Sequence, residues 1–113
     1  MDAIEMIATE RARQIEVEGF TAEHDEDHIE YELVGAAISY ARHARNQLVY
    51  DSPMHGAGAS QEWRWSHEWW KPSDDPVRNL VKAGALIAAE IDRLQRAAPP
   101  SAAPEGPRDE VNG

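Results

Sequence analysis

The sequence has no cysteine, which excludes disulfide bonds and zinc–thiolate sites. It also has no apolar run near the roughly 18 residues that a membrane-spanning helix requires. Its first residues lack the basic-then-apolar order of a signal peptide. These absences predict a cytoplasmic protein with no membrane partner.

Positive charge is scarce, since 11 Lys and Arg residues stand against 21 Asp and Glu residues, for a net charge of −10. A chain of this charge repels phosphate backbones, so it is expected to bind no nucleic acid. Much of the acidity lies in residues 16–32, which is typical of a solvated face and alternatively indicates a metal or partner site. His24 and His28 in this run lie four apart, as in a hydrated helix start or, alternatively, a metal site.

Recognisable catalytic motifs are also missing. The sequence contains no Gly-rich phosphate loop, no GxSxG and no HExxH motif. The common catalytic classes therefore have no support, and no catalytic residue, metal ligand or cofactor is predicted.

Helix signals are plentiful, and they predict an all-α protein. The first helix is expected over residues 3–18, because Asp2 and Glu5 form a capping box and Gly19 suits a left-handed stop. Its apolar stripe is expected to be buried. The members of this stripe are Ile4, Ile7, Ala8 and Ile15.

Two further helices are predicted, the second from after Asp27 to about Leu48 and the third from the cap Asp75 to about Arg96. The third is apolar on nearly every side, which is typical of a central helix. Its small residues allow another backbone, either in the same chain or across a dimer, to approach closely; they are Gly84, Ala85, Ala88 and Ala89. The second helix has a predicted buried face of Ile29, Leu33, Ala36, Ala37, Tyr40 and Ala44.

These helices predict one helical domain over residues 1–97, followed by a disordered Pro-, Ala- and Gly-rich tail over residues 98–113. In a domain of three helices, the other two cannot fully cover the central one. The core is therefore completed by the irregular, tryptophan-rich segment between the second and third helices, by a second subunit, or by both. The expected architecture is a three-helix core completed as a bundle in a homodimer.

The segment "WRWSHEWWKP" concentrates four tryptophans within residues 63–72. One interpretation is that these side chains replace a missing helix, since each tryptophan can bury about 150–250 Å². The other is that Trp69 or Trp70 stacks on a flat ligand such as a nucleobase, with Lys71 beside it. Both interpretations can hold for one segment.

Charged residues also fall on the apolar faces of the predicted helices. Such side chains are rarely buried without partners, so they form either an ion-pair network or a polar pocket between helices. In a pocket, Arg11 and Lys82 would meet an anion, and the carboxylates would meet ribose hydroxyls. The candidate ligand-binding residues are Arg11, Glu18, Glu32, Trp69, Trp70, Lys71, Lys82 and Glu90.

Five motifs together resemble a family of small proteins encoded by bacteriophages and prophages. They are "ERARQIEVEG" (10–19), "EHD" (23–25), "ELVGAAISYA" (32–41), "WRWSHEWWKPSDD" (63–75) and "LVKAGALIAAEIDRL" (80–94). The resemblance implies a phage context, with a nucleotide-related or counter-defence role in the bacterial host's cytoplasm.

The chain resembles, much more distantly, the all-α MazG-like NTP pyrophosphohydrolases. Those enzymes pair an ExxE-rich helix with an ExxD helix around magnesium, whereas here the acidic pairs, Glu30 with Glu32 and Glu90 with Asp92, lie two apart. Residues two apart on a helix face different ways.

Three functional hypotheses follow. The leading one is a protein that binds or sequesters a nucleotide or nucleotide-derived signal. The second is a magnesium-dependent MazG-like hydrolase using Glu18, Glu32 and Glu90. The third is an acidic inhibitor that binds a host protein through residues 16–32. Its binding should weaken steeply as the salt concentration rises.

Overall fold

The computed structural model describes residues 1–18, 32–53 and 58–97, and within these ranges the protein is all-α. Helix α1 spans Ala3–Glu18, α2 spans Glu32–Tyr50 and α3 spans Pro76–Ala97. A single 3₁₀ turn, His67–Trp69, lies in the segment between α2 and α3. The predicted fold class is confirmed, and no strand occurs in these ranges.

Local capping signals fix the starts of α1 and α3. The backbone N–H of Glu5 donates to the Asp2 carboxylate and the N–H of Asp2 donates to the Glu5 carboxylate, both at 2.9 Å. This is the predicted capping box. At α3, the N–H of Val77 donates to Asp75 Oδ1 at 2.9 Å. Both predicted starts are confirmed.

Helix α3 lies at the centre of the described fold, packed against both α1 and α2. Its contact with α2 forms the core, to which Trp63 also contributes. The buried apolar side chains of this cluster are Leu33, Ala36, Ala37, Tyr40, Trp63, Ala83, Leu86 and Ala89. The predicted buried face of α2 is thereby confirmed, apart from Ile29, which lies outside the described residues.

At Gly84, one of the small residues of α3, the close neighbour is a side chain of α1 in the same chain. A Cβ placed on Gly84 would lie 2.8 Å from Cδ1 of Ile7. A side chain at position 84 would require the end of the Ile7 side chain to shift.

The predicted burial of α1 is wrong for three of its four apolar residues, whereas Ile7 is half-buried against Gly84. Ile4 is 74% exposed, Ile15 is 37% exposed and Ala8 is exposed, whereas Glu10 and Gln14 are buried. The reason is a set of polar contacts that Glu10 makes inside the fold, which turn the polar side of α1 inward. The central helix is also less covered than predicted, since Leu80 and Ile87 are about half exposed.

A buried pair of amides ties α2, α3 and the intervening segment together. Asn79 of α3 donates through Nδ2 to Oε1 of Gln47 on α2 at 2.9 Å and to the carbonyl oxygen of Ser73 at 2.8 Å. The N–H of Ser73 donates back to Asn79 Oδ1 at 2.8 Å. Nε2 of Gln47 lies within hydrogen-bonding distance of the carbonyl oxygens of Pro53, Ser73 and Asp74.

Among the described residues, no helix is long and apolar enough to cross a membrane. The predicted tail over 98–113 and the predicted start of the second helix over 28–31 lie outside the described residues.

Candidate functional site

The tryptophan segment packs onto α2 through an aromatic cluster. The Trp63 ring is buried and lies 5.8 Å from the Tyr40 ring and 5.2 Å from the rings of Trp65 and Trp70, in each case close to edge-on. Edge-to-face pairs are a preferred geometry for aromatic side chains. Three of the four tryptophans therefore pack in or against the core, as predicted by the interpretation in which they replace a missing helix.

The polar groups of this cluster are also paired. The indole N–H of Trp65 donates to Oε1 of Glu32 at 3.0 Å, and that of Trp63 donates to the carbonyl oxygen of Ser66 at 3.1 Å. His43 is buried against Trp70, with ring centroids 5.6 Å apart. Burial lowers the pKa of His43, and a hydrogen bond to the backbone of Pro53 only partly opposes that change.

Trp69 differs from the other three because 46% of its surface is exposed. Nζ of the neighbouring Lys71 lies 5.5 Å from the centroid of its ring, within cation–π distance. The 3₁₀ turn positions this ring, since the N–H of Trp69 donates to the carbonyl oxygen of Ser66 at 3.0 Å. An indole face and an ammonium group thus lie together at the surface.

Lys82 of α3 anchors the segment next to this pair. Its Nζ donates to the carbonyl oxygen of Lys71 at 2.7 Å and lies 5.3 Å from the Tyr40 ring centroid. The N–H of Lys71 donates to the Tyr40 hydroxyl at 3.2 Å. The backbone at Lys71 is therefore held from α2 and from α3.

A cavity of about 30 Å³ opens between α1, the core and the tryptophan segment. Its walls combine cationic, amide and aromatic side chains. The lining residues are Glu10, Arg13, Gln14, Tyr40, Trp63, Trp65, Trp69, Lys71, Lys82 and Leu86. Three cations and one carboxylate make this region electropositive in a chain whose net charge is −10.

The carboxylate of this cavity, Glu10, is 1% exposed. Arg13 donates to both of its oxygens at 2.9 and 2.8 Å, and Arg78 of α3 donates to Oε1. Burial raises the pKa of Glu10, but the hydrogen bonds and charges of Arg13 and Arg78 outweigh it, so the pKa falls below its usual 4.5. Glu10 is therefore an ionised link between α1 and α3.

Gln14 follows Glu10 by one helical turn and is 3% exposed. Its Nε2 donates to Oε2 of Glu10 at 3.2 Å. A carboxylate only accepts, so this bond fixes the orientation of the amide and leaves Oε1 as an acceptor. Within the described part of the chain, Oε1 of Gln14 is buried with no hydrogen-bond partner, which marks a place for a donor.

The structure brings together part of the predicted site. Trp69, Lys71 and Lys82 all line the cavity. Trp70 lies behind them, half-buried, with its ring 4.7 Å from that of Tyr40, and Arg11 is half-buried on α1.

The predicted carboxylates are elsewhere. Glu32 accepts the Trp65 indole N–H, and both oxygens of Glu90 are bonded to Arg93 at 2.8 and 3.0 Å. The Glu18 side chain and the pair His24 and His28 lie outside the described residues.

Both oxygens of Glu90 and Oε1 of Glu32 already accept hydrogen bonds within the fold. In ranges 1–18, 32–53 and 58–97, no group of three or more His, Asp or Glu side chains is placed to hold a metal ion. The MazG-like hypothesis therefore gains no support from Glu32 and Glu90.

Glu10, Arg13 and Gln14 are cavity residues that the apolar pattern of α1 does not reveal. The available signal is the spacing of three between Glu10 and Arg13, which suits an ion pair on a helix. That spacing does not show that Glu10 has a further partner, Arg78, which lies 68 residues further along the chain.

Comparison of the chain with protein-family models, with curated proteins and with solved structures finds no match. The phage-family resemblance stays an expectation from the motifs.

Proposed function

We propose that the protein binds a small nucleotide or nucleotide-derived signal between α1 and the tryptophan segment. The observation that carries the proposal is the electropositive cavity beside Trp69, the most exposed of the four tryptophans. A ligand with a flat ring and negative charge matches this combination, because bases stack on aromatic side chains and phosphates pair with cations.

The size of the cavity limits how such a ligand binds. About 30 Å³ holds one water-sized group, whereas pockets for whole ligands measure about 300–1,000 Å³. One N–H group of the ligand would enter the cavity and donate to Oε1 of Gln14. The ring would stack on the exposed face of Trp69, with its anionic group near Lys71.

The role proposed for this binding is sequestration, in the counter-defence or nucleotide-related context that the phage resemblance implies. A binding protein needs no catalytic group, and this agrees with the pairing of Glu32 and Glu90 inside the fold. We also propose that two chains form a homodimer, because α1 and α3 leave large apolar side chains exposed.

The test is titration with ATP, a cyclic dinucleotide and ADP-ribose, with and without magnesium, followed by calorimetry and tryptophan emission. We expect saturable binding of one of these compounds without turnover. Trp69→Ala should weaken it about 5- to 150-fold, as loss of about 1–3 kcal/mol of stacking requires. Lys71→Met should also weaken it.

Arg64→Met is the matched control, because Arg64 is an exposed cation of the same segment that does not line the cavity. It should leave the affinity unchanged. No binding of any compound, or binding that survives both Trp69→Ala and Lys71→Met, would contradict the proposal. Conversion of ATP to a monophosphate in magnesium would instead favour the hydrolase hypothesis.

A further inference from the structure

A straight apolar stripe runs along the side of α3 that faces away from the cavity. Its members follow the alternating spacing of three and four that defines a coiled-coil seam. They are Val77, Leu80, Gly84, Ile87, Ile91 and Leu94. The five large side chains are each 47–52% exposed. The apolar stripe of a helix in a globular protein normally faces the core, so this exposure is unusual.

Helix α1 extends this stripe into a broader face. Ile7 lies against Gly84 and fills the one position of the stripe that has no side chain. Ile4 lies one turn before Ile7 and is 74% exposed, and Ile15 is 37% exposed on the same apolar side of α1. The stripes of α1 and α3 therefore meet at the contact between Ile7 and Gly84.

We infer that this α1–α3 face pairs with the same face of a second copy of the chain. The inference rests on the proposed homodimer and is independent of the proposed ligand. A seam with heptad spacing is self-complementary, because its side chains fit between those of an identical helix. A two-fold dimer uses one patch twice, as this face allows.

The area of the face agrees with a dimer. Seven side chains exposed to this extent present on the order of 600 Å² per chain, so pairing would bury roughly 1,200 Å², the lower end for specific interfaces. This area lies at the upper end of the roughly 300–600 Å² that the largest apolar patch of a monomeric protein covers.

Charge also permits two acidic chains to meet here. The stripe on α3 contains no charged residue, and the residues next to it include the small Ala83 and Ala88. Glu90, which precedes Ile91 of the stripe, is bonded to Arg93 of its own chain. The acidic residues that give the chain its net charge of −10 therefore lie outside this stripe.

The experiment is sedimentation equilibrium of the full chain across a range of protein concentrations. We expect twice the chain mass of 12.6 kDa for the wild type and a single chain mass for Ile87→Glu. Val49→Glu is the matched control, because Val49 is 63% exposed on the side of α2 opposite its buried face, and this variant should stay dimeric.

Leu94→Glu is a second variant near the end of α3, where a charge is least disruptive to the chain's own fold; it should also give single chains. Helical circular dichroism of both seam variants should match the wild type. A wild type of single-chain mass at all concentrations would overturn the inference, as would a dimer that both seam variants retain. The ligand titration of Ile87→Glu is a separate measurement, so failure of the dimer and failure of the ligand proposal can be distinguished.

Discussion

The buried carboxylate of Glu10 joins α1 to α3. Arg13 on α1 and Arg78 on α3 both donate to it, and Gln14 adds an amide donor. A buried charge is tolerated only when such partners are present, so each donor matters more than it would at the surface.

We therefore expect Glu10→Gln to lower the free energy of unfolding by about 2–3 kcal/mol at neutral pH, since hydrogen bonds to charged groups contribute about 1.5–3 kcal/mol. Urea denaturation measures the change. The control is Glu16→Gln, on the exposed side of α1, which should stay within about 0.5 kcal/mol of the wild type. Equal values for the two variants would show that Glu10 stabilises nothing.

The lowered pKa of Glu10 also predicts that the folded protein loses stability in acid. The pKa of Glu10 is lower in the folded chain than its ordinary value of 4.5, so the unfolded chain binds the proton first as the pH falls. The stabilisation is present above pH 4.5 and is lost as the pH falls through the folded pKa. Between these two pKa values the stability of Glu10→Gln should fall less than that of the wild type.

At the scale of elements, the tryptophan segment lies directly on the backbone of α2. A Cβ at Gly35 would collide with the carbonyl oxygen of Glu62, which cannot move without displacing the segment. Gly35→Ala should therefore lower the free energy of unfolding by about 1–3 kcal/mol. Gly58→Ala, where a Cβ meets open space, should leave it unchanged or raise it by up to about 1 kcal/mol.

Thermal and urea denaturation of the two alanine variants would compare them directly. A Gly35→Ala variant as stable as Gly58→Ala would mean that the segment does not press on α2.

At the C-terminal end of α2, a substitution should raise the free energy of unfolding instead of lowering it. Asp51 has φ of 50°, in the left-handed region, and the N–H of Ser52 donates to the carbonyl oxygen of Gln47 at 3.0 Å. This is the geometry in which glycine usually ends a helix. Asp51→Gly should raise the free energy of unfolding by about 0.5–1 kcal/mol, because the left-handed conformation costs a Cβ-bearing residue about 1–2 kcal/mol.

Asp51→Ala separates backbone strain from charge in the same denaturation measurement. It removes the carboxylate but keeps the Cβ, so it should not reproduce the gain. An equal gain in both variants would show that the negative charge at the end of the helix is the destabilising element.

Local sequence signals predicted the element boundaries well. Asp2 with Glu5 and Asp75 with Pro76 place the starts of α1 and α3, because capping involves only neighbouring residues. The orientation of α1 was not predictable in this way. Its apolar stripe of Ile4 and Ile15 is exposed, since a partner on α3 draws Glu10 inward.

At the scale of the whole molecule, the two proposed surfaces lie on opposite sides of α3. Lys82 lines the cavity, whereas Ile87 belongs to the stripe, and at about 100° per residue they are separated by most of a half-turn around the helix. We expect Ile87→Glu to change ligand affinity by no more than about twofold, as distant sites usually contribute independently.

Calorimetric titration of Ile87→Glu against the compound that the wild type binds is the measurement. Lys71→Met gives the reverse comparison, since its mass in sedimentation should remain that of the wild type. A tenfold or greater loss of affinity on disruption of the stripe would show that the two surfaces are coupled.

The site was predictable only in part, for the same reason as the fold. Trp69, Lys71 and Lys82 could be singled out because aromatic and cationic residues stand out in an acidic chain, and they do line one cavity. Gln14 could not, because an amide on a helix carries no local signal. Its importance arises from burial beside Glu10 and from an acceptor atom that the described residues leave without a donor.

The amides of Gln47 and Asn79 also bear on how quickly the chain folds. They join residues 32 positions apart, so the chain must close a long loop before this contact can form. Gln47 can donate to the carbonyl oxygens of Ser73 and Asp74 only once this loop is closed. In stopped-flow experiments we expect Asn79→Ala to slow refolding, because it removes a contact that closes this loop. An unchanged refolding rate in Asn79→Ala would place the meeting of α2 and α3 after the rate-limiting step.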